Sequence, residues 1–129
     1  MRVMTILAAV VGLSGCTTQG LWPGAQARVD HAVLPALLAD GAEPGTPEDF
    51  GVCGAALSFD RMLRAPGGVP DAALTAETQG HLLTMTLRSP DPGLSFAIGD
   101  AVTELDMADR LRLVDRVPEC RDRYGRYFP

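Results

Sequence analysis

The chain has 129 residues, enough for one domain with a modest core and too few for several. Its net charge is −5, with eleven arginines as the only fixed cations and no lysine, a balance that argues against general nucleic-acid binding. No second long apolar segment follows the first, and no 20-to-50-residue repeat is visible.

In chain order, Met1 and Arg2 make a short positive start, and residues 3–13 form an almost unbroken apolar run. Its length suits the hydrophobic region of a secretory signal and is too short to span a bilayer. Leu13-Ser14-Gly15-Cys16 closes it. In these four residues, and in their distance from the start, the chain resembles bacterial prolipoproteins, whose lipobox reads leucine, a small residue, Gly or Ala, then the lipidated cysteine.

The resemblance covers residues 1–16 and speaks of processing, not of a domain family. It implies that Cys16 receives diacylglycerol, that the Gly15–Cys16 bond is cut, and that the new amino terminus can be acylated. Two or three acyl chains, at about 0.8 kcal/mol per buried CH₂, hold a protein to a bilayer stably, where one is marginal. Thr17 stands where such proteins often carry an inner-membrane Asp, which points to the periplasmic face of the outer membrane. The bland alternative is an ordinary cleaved signal with Cys16 left free. On this division, residues 1–15 are signal peptide, 16–25 a lipidated tether with Trp22, and 26–129 a small domain with charge near −6 once Arg2 is removed, ten arginines against sixteen acids.

With Cys16 assigned to lipid, Cys53 and Cys120 remain, and an even pair in an oxidising compartment is most simply one disulfide. A metal site from Cys53, Cys120, His31 and His81 is the alternative, but no close CxxC or HxxxH pair supports it. No metal and no cofactor beyond the acyl chains is expected.

Gln26–Ala39 carries helical spacing at Val29, Val33 and Leu37, interrupted by Pro35, so it reads as two short pieces or as a helix starting near Leu34. Thr46-Pro47-Glu48-Asp49 is a clear helix start: a capping hydroxyl, proline at the first position, then two carboxylates at the positive end of the dipole. That helix is predicted to run to about Arg64, with Cys53 beside its apolar face, Asp60 and Arg64 paired, and Ala65-Pro66-Gly67-Gly68 stopping it.

The next stretch is ambiguous. Leu74, Thr78, Leu82 and Met85 share a helical face, yet Leu83, Met85 and Leu87 alternate as a strand would, and so do Leu94, Phe96 and Ile98. Asp91-Pro92 is a good helix start, so two helices are favoured over a hairpin at about 82–99. Asp106–Val117 reads as a helix capped by Asp106, with Met107, Leu111 and Val114 as its apolar stripe, Leu113 and Val117 flanking, and pairs Asp106–Arg110 and Asp109–Arg112. Pro118 should end or kink it. The predicted fold is therefore all-α, a bundle of four or five short helices with one disulfide; the alternative is α+β with the hairpin.

The tail, which starts at Arg121, joins Arg123, Tyr124, Arg126, Tyr127 and Phe128, a mixture suited to a partner surface or to anionic lipid. The competing reading packs Tyr124 and Phe128 on the bundle while the arginines offset its acidity. Catalytic chemistry has no motif here: Ser58, Ser89 and Ser95 lie in no GxSxG, and no GxxxxGK[ST] follows the glycines. The sequence thus reads as a lipid-anchored envelope protein, not an enzyme, that engages the bilayer through Cys16 and an envelope protein as a structural or accessory component. A carrier of small apolar ligands, with Leu82, Met85, Phe96 and Ile98 lining a groove, is the alternative.

Overall fold

The computed structural model describes residues 24–129. The signal, the lipobox and Trp22 lie outside those residues. Two single 3₁₀ turns, Ala25–Arg28 and His31–Val33, lead into α1 (Leu34–Asp40). Then come α2 (Pro47–Leu63), a 3₁₀ turn at Pro66–Gly68, α3 (Ala72–Thr86), α4 (Pro92–Thr103), α5 (Met107–Leu111), α6 (Leu113–Tyr124) and a last 3₁₀ turn, Gly125–Tyr127. There is no strand among the described residues, so the fold is all-α.

Local chemistry sets most helix starts. Thr46 Oγ1 accepts from the Asp49 amide, with Pro47 in the first turn of α2. The Asp71 and Asp91 carboxylates accept from the Leu74 and Leu94 amides at α3 and α4. Each such cap is worth about 1 kcal/mol. Pro35 falls in the first turn of α1, where its missing N–H costs nothing, and Leu34 and Leu38 are buried one turn apart.

The hairpin fails for a visible reason. A strand would bury Leu83, Met85 and Leu87 together; here Met85 is buried while Leu83 and Leu87 are 42% and 53% exposed. Thr78, Thr84 and Thr86 each donate a hydroxyl hydrogen to the carbonyl four residues back, so the polar groups of α3 are accommodated within the helix.

Helix α2 is the centre. Every residue from Asp49 to Leu57 is buried, and α3, α4 and α6 pack around it. At Gly51 the contact with α4 is too close for a side chain: a Cβ there would lie 2.8 Å from both the Ser95 carbonyl oxygen and Ile98 Cβ. Gly51→Ala should therefore destabilise the domain by about 1–2 kcal/mol, because overpacking of about 1–3 kcal/mol exceeds the gain of about 1 kcal/mol in helix propensity. Gly54→Ala meets only the flexible end of Leu82, at 2.7 Å, and should be near neutral. Urea unfolding of the two variants side by side checks this difference.

The 3₁₀ turn at Ala25–Arg28 already belongs to the packed domain, with Ala25 buried. Arg28 reaches the Asp91 carboxylate with two hydrogen bonds, at 2.7 and 3.1 Å, and tethers the entry of the chain to the start of α4. Arg28 and the Leu94 amide together hold the Asp91 carboxyl below its ordinary range.

Two expectations for the last helices are corrected. The break falls at Arg112, not at Pro118, which sits inside α6. Leu113, Val117, Cys120 and Tyr124 form the buried stripe of α6, whereas Met107, Leu111 and Val114 are 55%, 50% and 40% exposed. Pro118 itself is exposed, and so is Val114, whose carbonyl it leaves without a helical donor, so solvent can hydrate that carbonyl. Asp106 makes no side-chain cap. Of the two pairs expected there, Asp109–Arg112 is present at 3.9 Å, while Arg110 does not join the ion pairs found among the described residues.

Cys53 and Cys120 are bonded, with their Cα atoms 5.1 Å apart and both side chains buried. The bond joins α2 to α6 at the middle of the core.

Candidate functional site

The residues expected to form a partner surface separate into two groups. Asp49, at the third position of α2, is 2% exposed and carries the structural burden. Its carboxylate takes an ion pair from Arg123, the Tyr124 hydroxyl hydrogen, and the Gly45 amide at 3.2 Å. The Phe50 and Tyr124 rings lie 4.6 Å apart beside it. Burial first, then the neighbouring carboxylate, pushes the Tyr124 phenol well above its ordinary value. Tyr124 is buried and Arg123 is spent on Asp49 and Glu119, so neither is an anchor for a partner.

Tyr127 and Phe128 are half-buried against the core, and the Phe128 ring lies 5.8 Å from that of His81. Arg126 alone of the five stays in solvent, with its guanidinium 4.8 Å over the Tyr127 ring. This is the packed-tail arrangement, brought about by a carboxylate more than 70 residues away.

An apolar groove of about 230 Å³ runs between α2, α3 and α4, walled chiefly by Phe50, Phe59, Met62, Leu82 and Phe96. Of the four side chains expected to line one, Leu82 and Phe96 do so; Met85 and Ile98 are buried in the core. At its edge Asp100 accepts from Gln26 Nε2 at 3.3 Å, and burial together with Glu104 raises its carboxyl pKa. Ser58 Oγ is buried on the groove wall with no hydrogen-bond partner, while Ser95 donates to the Pro47 carbonyl and shares a hydrogen bond with Ser89.

A second concavity, about 410 Å³, opens where the ends of α2 and α6 meet the tail. Arg61, Arg64, Arg121 and Arg126 stand around it, with Asp60 the acid among them and Leu57 and Phe128 as apolar wall. Of these, sequence reading placed only Arg126 among the candidate surface residues and paired Arg64 with Asp60. Arg61 and Arg64 lie one turn apart on one helix and Arg121 and Arg126 come from the far end of the chain, so only the fold assembles them.

The histidines do not converge. His31 is exposed in its 3₁₀ turn, and His81 Nε2 lies 3.5 Å from Glu77. Among the described residues, no group of three or more His, Cys, Asp or Glu side chains is placed to hold a metal ion, and the two cysteines are consumed by their disulfide. No described helix is long and apolar enough to cross a membrane. Set against family models, curated proteins and solved structures, the chain has no match.

Proposed function

We propose that this chain is an envelope lipoprotein, anchored through acyl chains on Cys16 at the periplasmic face of the outer membrane, whose helical domain works by binding an envelope protein partner. The observation that carries the reading is Leu13-Ser14-Gly15-Cys16 ahead of a domain held by its own disulfide. An internal disulfide suits the oxidising compartment to which the lipobox directs a protein.

Two features support binding over chemistry. The one fully buried carboxylate among the described residues serves the fold: Asp49 holds the tail through Arg123 and Tyr124. Met107, Leu111 and Val114, at steps of four and three residues, stay largely exposed, as is common on surfaces that meet another protein. The carrier reading draws on the apolar groove, but about 230 Å³ lies below the roughly 300–1,000 Å³ of typical ligand pockets. That favours an interaction role over enclosure of a ligand.

The test is crosslinking in the native envelope. With no lysine to react, a photoreactive side chain at Leu111 is the suitable probe. A discrete adduct with an envelope protein, absent when the probe stands at exposed Thr84, is the expected result. Monomer alone, with stoichiometric uptake of a fluorescent fatty acid, would replace this reading by the carrier.

A further inference from the structure

We propose that the basin walled by Arg61, Arg64, Arg121 and Arg126 is a binding site for a phosphate group. The inference stands on the geometry of the basin and does not depend on the lipid anchor.

Charge comes first. Four of the chain's eleven arginines face one concavity in a protein of net charge −5. Asp60 is the acid on its wall, so the lining side chains carry +3, four cations less one anion; Glu77 and the Pro129 main-chain oxygen occupy Arg61 from the side, so the charge left to a ligand comes from Arg64, Arg121 and Arg126. A local reversal of sign inside a concavity concentrates anions there. Leu57 and Phe128 exclude water from part of the wall and strengthen each remaining charge contact.

Hydrogen-bonding capacity comes second. A guanidinium has five N–H donors. The Asp60 side chain is only 16% exposed and fixes two of these groups: Arg64 through Nε at 3.2 Å and Arg121 through one terminal nitrogen at 2.9 Å. Those contacts orient both forks and leave most of their donors unused. Arg126 donates from one nitrogen to the Tyr127 hydroxyl. Arg61 binds Glu77 and the Pro129 carbonyl through its two terminal nitrogens, while its Nε is buried with no hydrogen-bond partner.

Phosphate fits this donor set better than carboxylate. Its oxygens point in tetrahedral directions and can accept from forks on α2 and from forks at the end of α6 together, whereas a carboxylate offers two oxygens in one plane. Free phosphate and the headgroup of an anionic phospholipid share this chemistry.

The test uses the chain as its source cell processes it, labelled with ¹⁵N at arginine and mixed with phosphatidylcholine nanodiscs at low ionic strength. Inorganic phosphate should shift the arginine Nε signals of the basin saturably, and Arg64→Gln with Arg126→Gln should weaken that binding by about tenfold or more. Both side chains are exposed, and thermal unfolding of the same samples verifies that the fold persists. Arg112→Gln, an exposed arginine away from the basin, should leave affinity unchanged. In nanodiscs containing phosphatidylglycerol, the same shifts without added phosphate would identify a lipid headgroup as the source; shifts only with added phosphate would identify a free ligand. Sulfate and raised salt should compete in either case. Unshifted basin signals in both membranes, or equal affinity in the double variant, would overturn the proposal.

Discussion

Asp49→Ala should lower the stability of the domain by about 3–5 kcal/mol, the usual consequence of removing one member of a buried ion pair. The loss has three parts. Arg123 keeps only Glu119, at 3.5 Å, on a half-buried side chain. The Tyr124 hydroxyl loses its acceptor in the core, and the Gly45 amide keeps only that hydroxyl, at 3.3 Å. The favourable placement of a carboxylate at the start of α2 also goes, but this last part, about 0.3–1 kcal/mol, is the smallest. Asp49→Asn should cost less, since an amide oxygen can still accept from Tyr124. Urea midpoints at unchanged slope are the measurement.

The same cluster predicts a response to alkali. The Tyr124 phenol titrates above its ordinary value in the folded protein, so the folded state keeps a proton that the unfolded chain releases near pH 10. The stability linked to this group is complete below about pH 10 and falls as pH rises toward the higher folded-state value. Tyr124→Phe removes that slope and should itself cost about 1.5–3 kcal/mol, the worth of a hydrogen bond to a charged group. A variant as alkali-sensitive as the parent would assign the slope to other groups.

Loss of the Cys53–Cys120 bond is the second large effect. The bond closes a loop of 67 residues, and chain entropy alone gives about 4 kcal/mol. A small domain has a total stability of only about 5–15 kcal/mol, so Cys53→Ala with Cys120→Ala should lower the melting temperature by well over ten degrees. This effect should couple to Asp49. Cys53 lies one turn after Asp49 on α2, and Tyr124 one turn after Cys120 on α6. Both links hold the same two helices together. Once either is gone and α6 can move away, the other has less to hold, so the combined loss should be smaller than the sum of the separate losses. Calorimetry of the single, double and triple variants tests this. Additive losses would mean that α6 stays docked without either link.

What the sequence made readable follows the range of the interactions concerned. The starts of α2 and α4 were legible because Thr46 and Asp91 act on amides three residues away. The cysteine pair was legible because assigning Cys16 to a lipid anchor, as the lipobox resemblance implies, leaves an even number. The apolar stripe of the last helices was misjudged, because Met107, Leu111 and Val114 share helical spacing just as Leu113, Val117, Cys120 and Tyr124 do. Only packing on α2 chooses between the two faces. The roles of Arg123 and Tyr124 were hidden for a like reason. Their partner is 74 and 75 residues distant, and a carboxylate in the first turn of a helix already has a local explanation. The arginine basin joins residues about 60 apart, and the run of arginines from Arg121 to Arg126 was its one visible sign.

Everything proposed for the place and role of this protein begins at Cys16, so the most direct measurement is metabolic labelling with a palmitate analogue in the source cell, parent chain beside Cys16→Ser. Label in the parent, lost in the variant together with retention in the membrane fraction, is the predicted result. An unlabelled parent, or a variant that keeps both label and membrane retention, would contradict it.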